Sequence, residues 1–64
     1  MSEVTITIIN VTDYRTESVV DVIWRIPSGQ QQTTRFEGAH YTEAQGEAFS
    51  DIKLVELLNR SPGE

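Results

Sequence analysis

The chain has no cysteine, a single histidine, four glycines, and five Lys+Arg against ten Asp+Glu in 64 residues. Each shortage excludes something. Without thiols there is neither a disulfide scaffold nor a zinc site built on thiolates. Four scattered glycines make no phosphate-cradling loop. Few basic residues argue against gripping a phosphate backbone, which takes clustered Lys and Arg, so no direct nucleic-acid binding is expected. No apolar run approaches the ~20 residues a membrane span needs, and no signal peptide precedes the first apolar segment. The expectation is therefore no membrane partner and, by default, a cytosolic compartment.

The formal net charge is −5, with 38% hydrophobic residues, and the length fits one domain, residues 1–64. A chain this short buries only about 60% of its unfolded surface. With no disulfide or thiolate metal site to add stability, association with another chain is the remaining source.

Periodicity sets the elements. In residues 3–12, Val4, Ile6 and Ile8 alternate with Thr5 and Thr7, and β-branched residues dominate, which predicts a strand. The phase slips at Ile9 and Val11, which calls for a β-bulge near Ile8–Ile9 or for two partly covered faces. Residues 13–18 read as a polar turn. Residues 19–26 (VVDVIWRI) are the strongest strand signal, with Val20, Val22, Trp24 and Ile26 on one face and Val19, Asp21, Ile23 and Arg25 on the other. Pro27-Ser28-Gly29 predicts a hairpin turn. Residues 31–37 return as a polar edge strand. His40-Tyr41 extends that strand or begins a fourth, or Thr42 and Gln45, at capping-box spacing, open one helical turn closed by Gly46. Ser50 or Asp51 caps a helix over about residues 51–60. Its core stripe is read as Ile52, Val55 and Leu58-Asn59, widened by Leu54 and Leu57. Asp51 and Arg60 complement its dipole, and Ser61-Pro62-Gly63 ends it. The fold class is α+β: a small antiparallel three- to four-stranded meander with one C-terminal helix packed on one face.

Residues capable of chemistry are few. His40 stands between Glu37 and Glu43, a carboxylate–imidazole–carboxylate set that suits a metal or an acid–base group. Aligning the three needs a continuous helix, and Gly38 with Thr42 argues against one, so His40 reads as a solvated loop residue. There is no nucleophile elbow, and the serines sit where turns and caps explain them. No enzymatic activity, cofactor, metal or small-molecule substrate is expected. Trp24 alternates with Val20, Val22 and Ile26 and reads as a core residue. Asn10-Val11-Thr12 and Asn59-Arg60-Ser61 match the glycosylation pattern, but without a secretory signal they read as chance matches. From Phe36 to Ile52 there are four acids, Glu37, Glu43, Glu47 and Asp51, and no Lys or Arg.

An isoleucine-rich strand, then VVDVIWRI with its central Trp24, a turn, a threonine-rich return strand and the segment FSDIKLVELL resemble a small domain of unknown function found in tailed bacteriophages. Its members pair a Trp-bearing strand with a short C-terminal helix introduced by a Phe/Tyr-x-Asp-Leu-like turn, the place held here by Phe49-Ser50-Asp51-Ile52. The resemblance spans most of the chain as a pattern of residue types, with a shorter helix and no second Trp. It implies a phage origin, hence a host-cytoplasmic or virion setting, and carries over no functional residues.

Two functional expectations follow. The first is a non-enzymatic phage protein that associates with another protein or with itself, as a virion or accessory component, through a sheet edge or through an apolar sheet face carrying Ile9, Val11, Val19 and Ile23. The second is an inhibitor of a host defence or nucleic-acid-binding protein, presenting Glu37, Glu43, Glu47 and Asp51 to a basic groove.

Overall fold

The computed structural model describes residues 5–60. They run as β1 (Thr7–Tyr14), a 3₁₀ turn (Arg15–Glu17), β2 (Val19–Arg25), β3 (Gln31–Glu37), α1 (Ala39–Gln45) and α2 (Asp51–Arg60). The strands form one antiparallel sheet in the order β1–β2–β3. The fold is the expected small α+β meander, corrected by a second helix, α1, where a fourth strand or a single turn was expected. Glu3 and Val4 of the expected first strand, and the Ser61-Pro62-Gly63 stop, lie outside the described residues.

The β2–β3 hairpin follows from its turn chemistry. Pro27 presets the first turn angle, Gly29 N–H donates to Ile26 C=O at 2.8 Å, and Ile26 N–H donates to Gln30 C=O at 3.3 Å. Gly29 has φ 96°, a conformation strained for any side chain. This is the three-residue hairpin loop with its last residue left-handed. The β1–β2 connection is shorter than the sequence indicates. Asp13 and Tyr14 stay in the strand, Arg15–Glu17 makes the turn, and Ser18 takes the left-handed conformation (φ 53°, ψ 50°).

The phase slip in β1 is a bulge. Ile8 stands opposite Trp24 and Asn10 opposite Ile23, which leaves Ile9 as the extra residue. Beyond it the register carries Val11 opposite Val22 and Asp13 opposite Val20. Val11 therefore joins the face of Val20 and Val22, not the opposite one.

That face is the core. Val20, Val22 and Phe36 from the sheet pack with Tyr41 and Ala44 of α1 and Leu54, Leu57 and Leu58 of α2. Ile6, Ile8, Val11, Trp24 and Phe49 are partly buried around them. Trp24 keeps its expected place against the core, and its indole N–H donates to Thr34 Oγ1 at 2.7 Å.

α1 begins at Gly38, whose φ 60° and ψ −123° suit glycine alone. Its N–H donates to Ser18 C=O at 3.3 Å, and its C=O accepts from Thr42 N–H at 3.1 Å. Thr42 does not cap the helix. It lies inside it, its hydroxyl bonding back to Gly38 C=O. Gly46 follows the last residue of α1 as expected, but in the right-handed conformation (φ −52°), its N–H donating to Thr42 and Glu43 C=O. The chain reverses two residues later. Ala48 (φ 56°) donates to Gln45 C=O at 2.7 Å and Phe49 to Ala44 C=O at 3.2 Å, the paired bonds of a Schellman motif. Phe49 (φ 59°) then packs edge-on against Tyr41, ring centroids 5.7 Å apart.

Ser50 caps α2, its Oγ accepting from Lys53 N–H at 3.3 Å. The buried stripe is Leu54, Leu57 and Leu58. Ile52, expected on that stripe, is 80% exposed. At about 100° per residue it lies about 160° around the helix from Leu54.

Candidate functional site

Both helices lie on one face of the sheet, so the opposite face is open. The register orders it in cross-strand rows: Tyr14–Val19–Glu37, Thr12–Asp21–Arg35, Asn10–Ile23–Thr33 and Thr7–Arg25–Gln31. This is a polar lattice. Arg35 grips Asp21 through two bonds, Nε at 2.8 Å and an Nη at 3.2 Å. These contacts hold the Asp21 carboxyl below its ordinary range despite some burial. Tyr14 stands opposite Val19, which is only 8% exposed.

The expected apolar face of Ile9, Val11, Val19 and Ile23 is thereby corrected. The bulge turns Val11 into the core, Val19 is shielded, and Ile23 is half-buried between Asn10 and Thr33. Ile9 alone is open, at 43%.

The acids of the 37–51 segment are not gathered into one unpaired strip. Glu37 lies on the open sheet face. Glu43 in α1 meets Arg60 at 3.4 Å and His40 Nδ1 at 3.5 Å. Glu47 accepts from the Ser50 hydroxyl at 3.4 Å, and Asp51 opens α2. His40 is helical, not in a loop as expected, and Glu43 is its helical neighbour while Glu37 belongs to the strand. Among the described residues no three His, Asp or Glu side chains gather as metal ligands.

A different surface comes together at the β1 side. Three large hydrophobic side chains are exposed among the described residues: Ile9 (43%), Tyr14 (41%) and Ile52 (80%). Two belong to β1. The third belongs to α2, which packs over β1, while α1 packs over β3. Arg60, reaching Glu43, marks the flank of α2 that faces α1. Val55, half-buried, occupies the opposite flank, above the free edge of β1. Ile52 points away from the sheet, on the outer side of α2.

The edge itself is open along a straight segment. The bonds Ile26 N–H to Gln30 C=O and Gly38 N–H to Ser18 C=O bracket the β2–β3 ladder. They set its alternation, so Val20, Val22 and Trp24 bond toward β3 and Val19, Asp21 and Ile23 toward β1. In β1, then, Asn10, Thr12 and Tyr14 bond inward, while the amides of Val11 and Asp13 face out. Asp13 is the one carboxylate of β1. It is bound on both oxygens, by Arg15 Nε at 2.7 Å and by the Tyr41 hydroxyl at 3.0 Å. Burial, then this bond to Asp13, raises the Tyr41 hydroxyl above the ordinary tyrosine range.

Tyr14, Ile52 and Val55 were assigned elsewhere on sequence grounds: Tyr14 to a polar turn, the other two to the core stripe. The leucine spacing 54–57–58 is the signal that marks Ile52 as outward. No protein-family model matches the chain, and neither the curated proteins nor the solved structures supply a match.

Proposed function

We propose that this chain works by binding another protein chain along its β1 side, in a non-enzymatic role. One observation carries the reading: β1 is a free edge of the sheet, its outward amides at Val11 and Asp13 are open, and the strand carries exposed Ile9 and Tyr14. Isolated exposed apolar residues are ordinary, but on an open strand edge they accompany main-chain groups able to pair with an added strand. The phage setting, as a virion or accessory component, belongs to this proposal through the sequence resemblance alone.

The test compares the wild-type chain with Ile9→Lys and Ile52→Lys, two exposed positions that tolerate charge without touching the core. Each is added to an extract of the source cells and followed by size exclusion and light scattering. The reading expects the wild type in a complex heavier than a free chain, Ile9→Lys displaced toward the free mass, and Ile52→Lys, off the edge, still in the complex. Identical elution of all three would overturn it.

A further inference from the structure

Resting on that reading of the β1 side, we infer that its occupant is a second copy of this chain, joined antiparallel through β1 about a two-fold axis at Thr12 to give a continuous six-stranded sheet.

Register points to the axis. The straight part of β1 beyond the bulge is Asn10–Tyr14, and a two-fold at Thr12 maps this segment onto itself. Asn10 meets Tyr14 of the second copy, Val11 meets Asp13, and Thr12 meets Thr12. The outward amides are those of Val11 and Asp13, so this pairing closes them reciprocally, with two hydrogen bonds at each Val11–Asp13 pair. Thr12 falls at the close, non-hydrogen-bonded position, where threonine pairs are favourable. Other axes fit less well. Centring on Asp13 sets two carboxylates directly opposite, and centring on Val11 runs the ladder into the Ile9 bulge.

Charge points to self-pairing over a basic partner. The chain carries −5 overall, yet the only carboxylate of β1 is already matched by Arg15 and Tyr41. Two copies therefore approach along this edge without unpaired acids facing one another. A cationic partner has no free anion in β1 to recognise. The same two-fold sets the two α2 helices on one side of the sheet, with their Val55 flanks toward each other.

Sedimentation equilibrium of the full chain, from micromolar to millimolar concentration, tests this. The mass is expected to rise from 7.2 kDa to twice that value. Two variants make the test specific. Ile9→Lys/Ile52→Lys changes only exposed side chains. A synthetic chain with an N-methyl group on Val11 keeps every side chain and blocks one outward amide. Both are expected to keep the wild-type circular dichroism and to stay at the single-chain mass across the series. N-methylation of Thr33, on the free edge of β3, is expected to leave the dimer intact. A wild type that remains at 7.2 kDa throughout overturns self-pairing, as does a dimer indifferent to N-methyl-Val11. If the wild type stays single while a different protein is held and then lost in Ile9→Lys, self-pairing falls and the broader binding role stands.

Discussion

The two free edges of the sheet differ in how they meet solvent. β3 ends the sheet with Gln31, Thr33, Arg35 and Glu37 exposed, a polar and charged border of the kind that discourages further pairing. β1 ends it with exposed Ile9 and Tyr14 and with its one carboxylate paired to Arg15. Its bulge and its inward-turned Asp13 blunt it in part, and beyond the bulge the register of Asn10–Tyr14 is regular. The two edges thus differ in side-chain character: β3 presents Arg35 and Glu37, whereas β1 presents Ile9 and Tyr14 and holds its one carboxylate in a pair with Arg15.

The largest expected effect separates the two sides of α2, the helix that supports β1. Leu54→Ala should destabilise the fold by about 2–5 kcal/mol, because it empties a fully buried site between helix and sheet. Ile52→Ala, on the same helix, should change single-chain stability by no more than about 0.5 kcal/mol. Urea titrations of both at low protein concentration check this. Comparable losses would place Ile52 in the core after all.

Next is the junction at the β3 side. Gly38→Ala meets no neighbouring atom, yet forces φ 60° on an L-residue. The expected loss is about 1–3 kcal/mol, arising from backbone strain alone. A neutral result by thermal denaturation would mean that the strand-to-helix turn adapts freely.

A smaller effect of opposite sign belongs to the turn between the helices. Ala48 occupies the left-handed position that glycine fills best, so Ala48→Gly should stabilise the fold by up to about 1 kcal/mol. A decrease in urea midpoint would contradict the Schellman assignment.

The smallest effect lies on the open sheet face and depends on pH. Asp21 is held below its ordinary carboxyl value chiefly by Arg35. Its contribution is therefore present at neutral pH and down through about pH 4, and is lost as pH falls through the lower folded-state value. Asp21→Asn should be slightly less stable than wild type near neutrality, with the gap closing in acid. A gap that widens in acid would contradict the pairing.

Much of this frame was legible in residues alone. Alternation in VVDVIWRI, the Pro27–Gly29 turn, the phase slip at Ile9 and the Ser50 cap each report a local rule that tertiary packing left intact. What escaped depended on longer-range choices. α1 is capped by Gly38 backbone geometry instead of a side chain, so Thr42 misled at its start, while Gly46 stands at its end and the reversal waits for Ala48. Ile52 and Val55 fit a helical stripe as well as the leucines do, and the sheet alone decides which stripe turns inward. Val11 changes face through a one-residue bulge, which also removed it, with the shielding of Val19, from the expected binding surface. The β1 side became visible only when strand order placed α2 above the free edge.

Amide hydrogen exchange, followed at increasing protein concentration, compares the two edges directly. The account predicts that Val11 and Asp13 become slower to exchange as concentration rises, while the outward amides of β3, at Thr33 and Arg35, stay fast. If Val11 and Asp13 exchange as fast as Thr33 and Arg35 at every concentration, or if β3 is the edge that slows, β1 is not the associating strand.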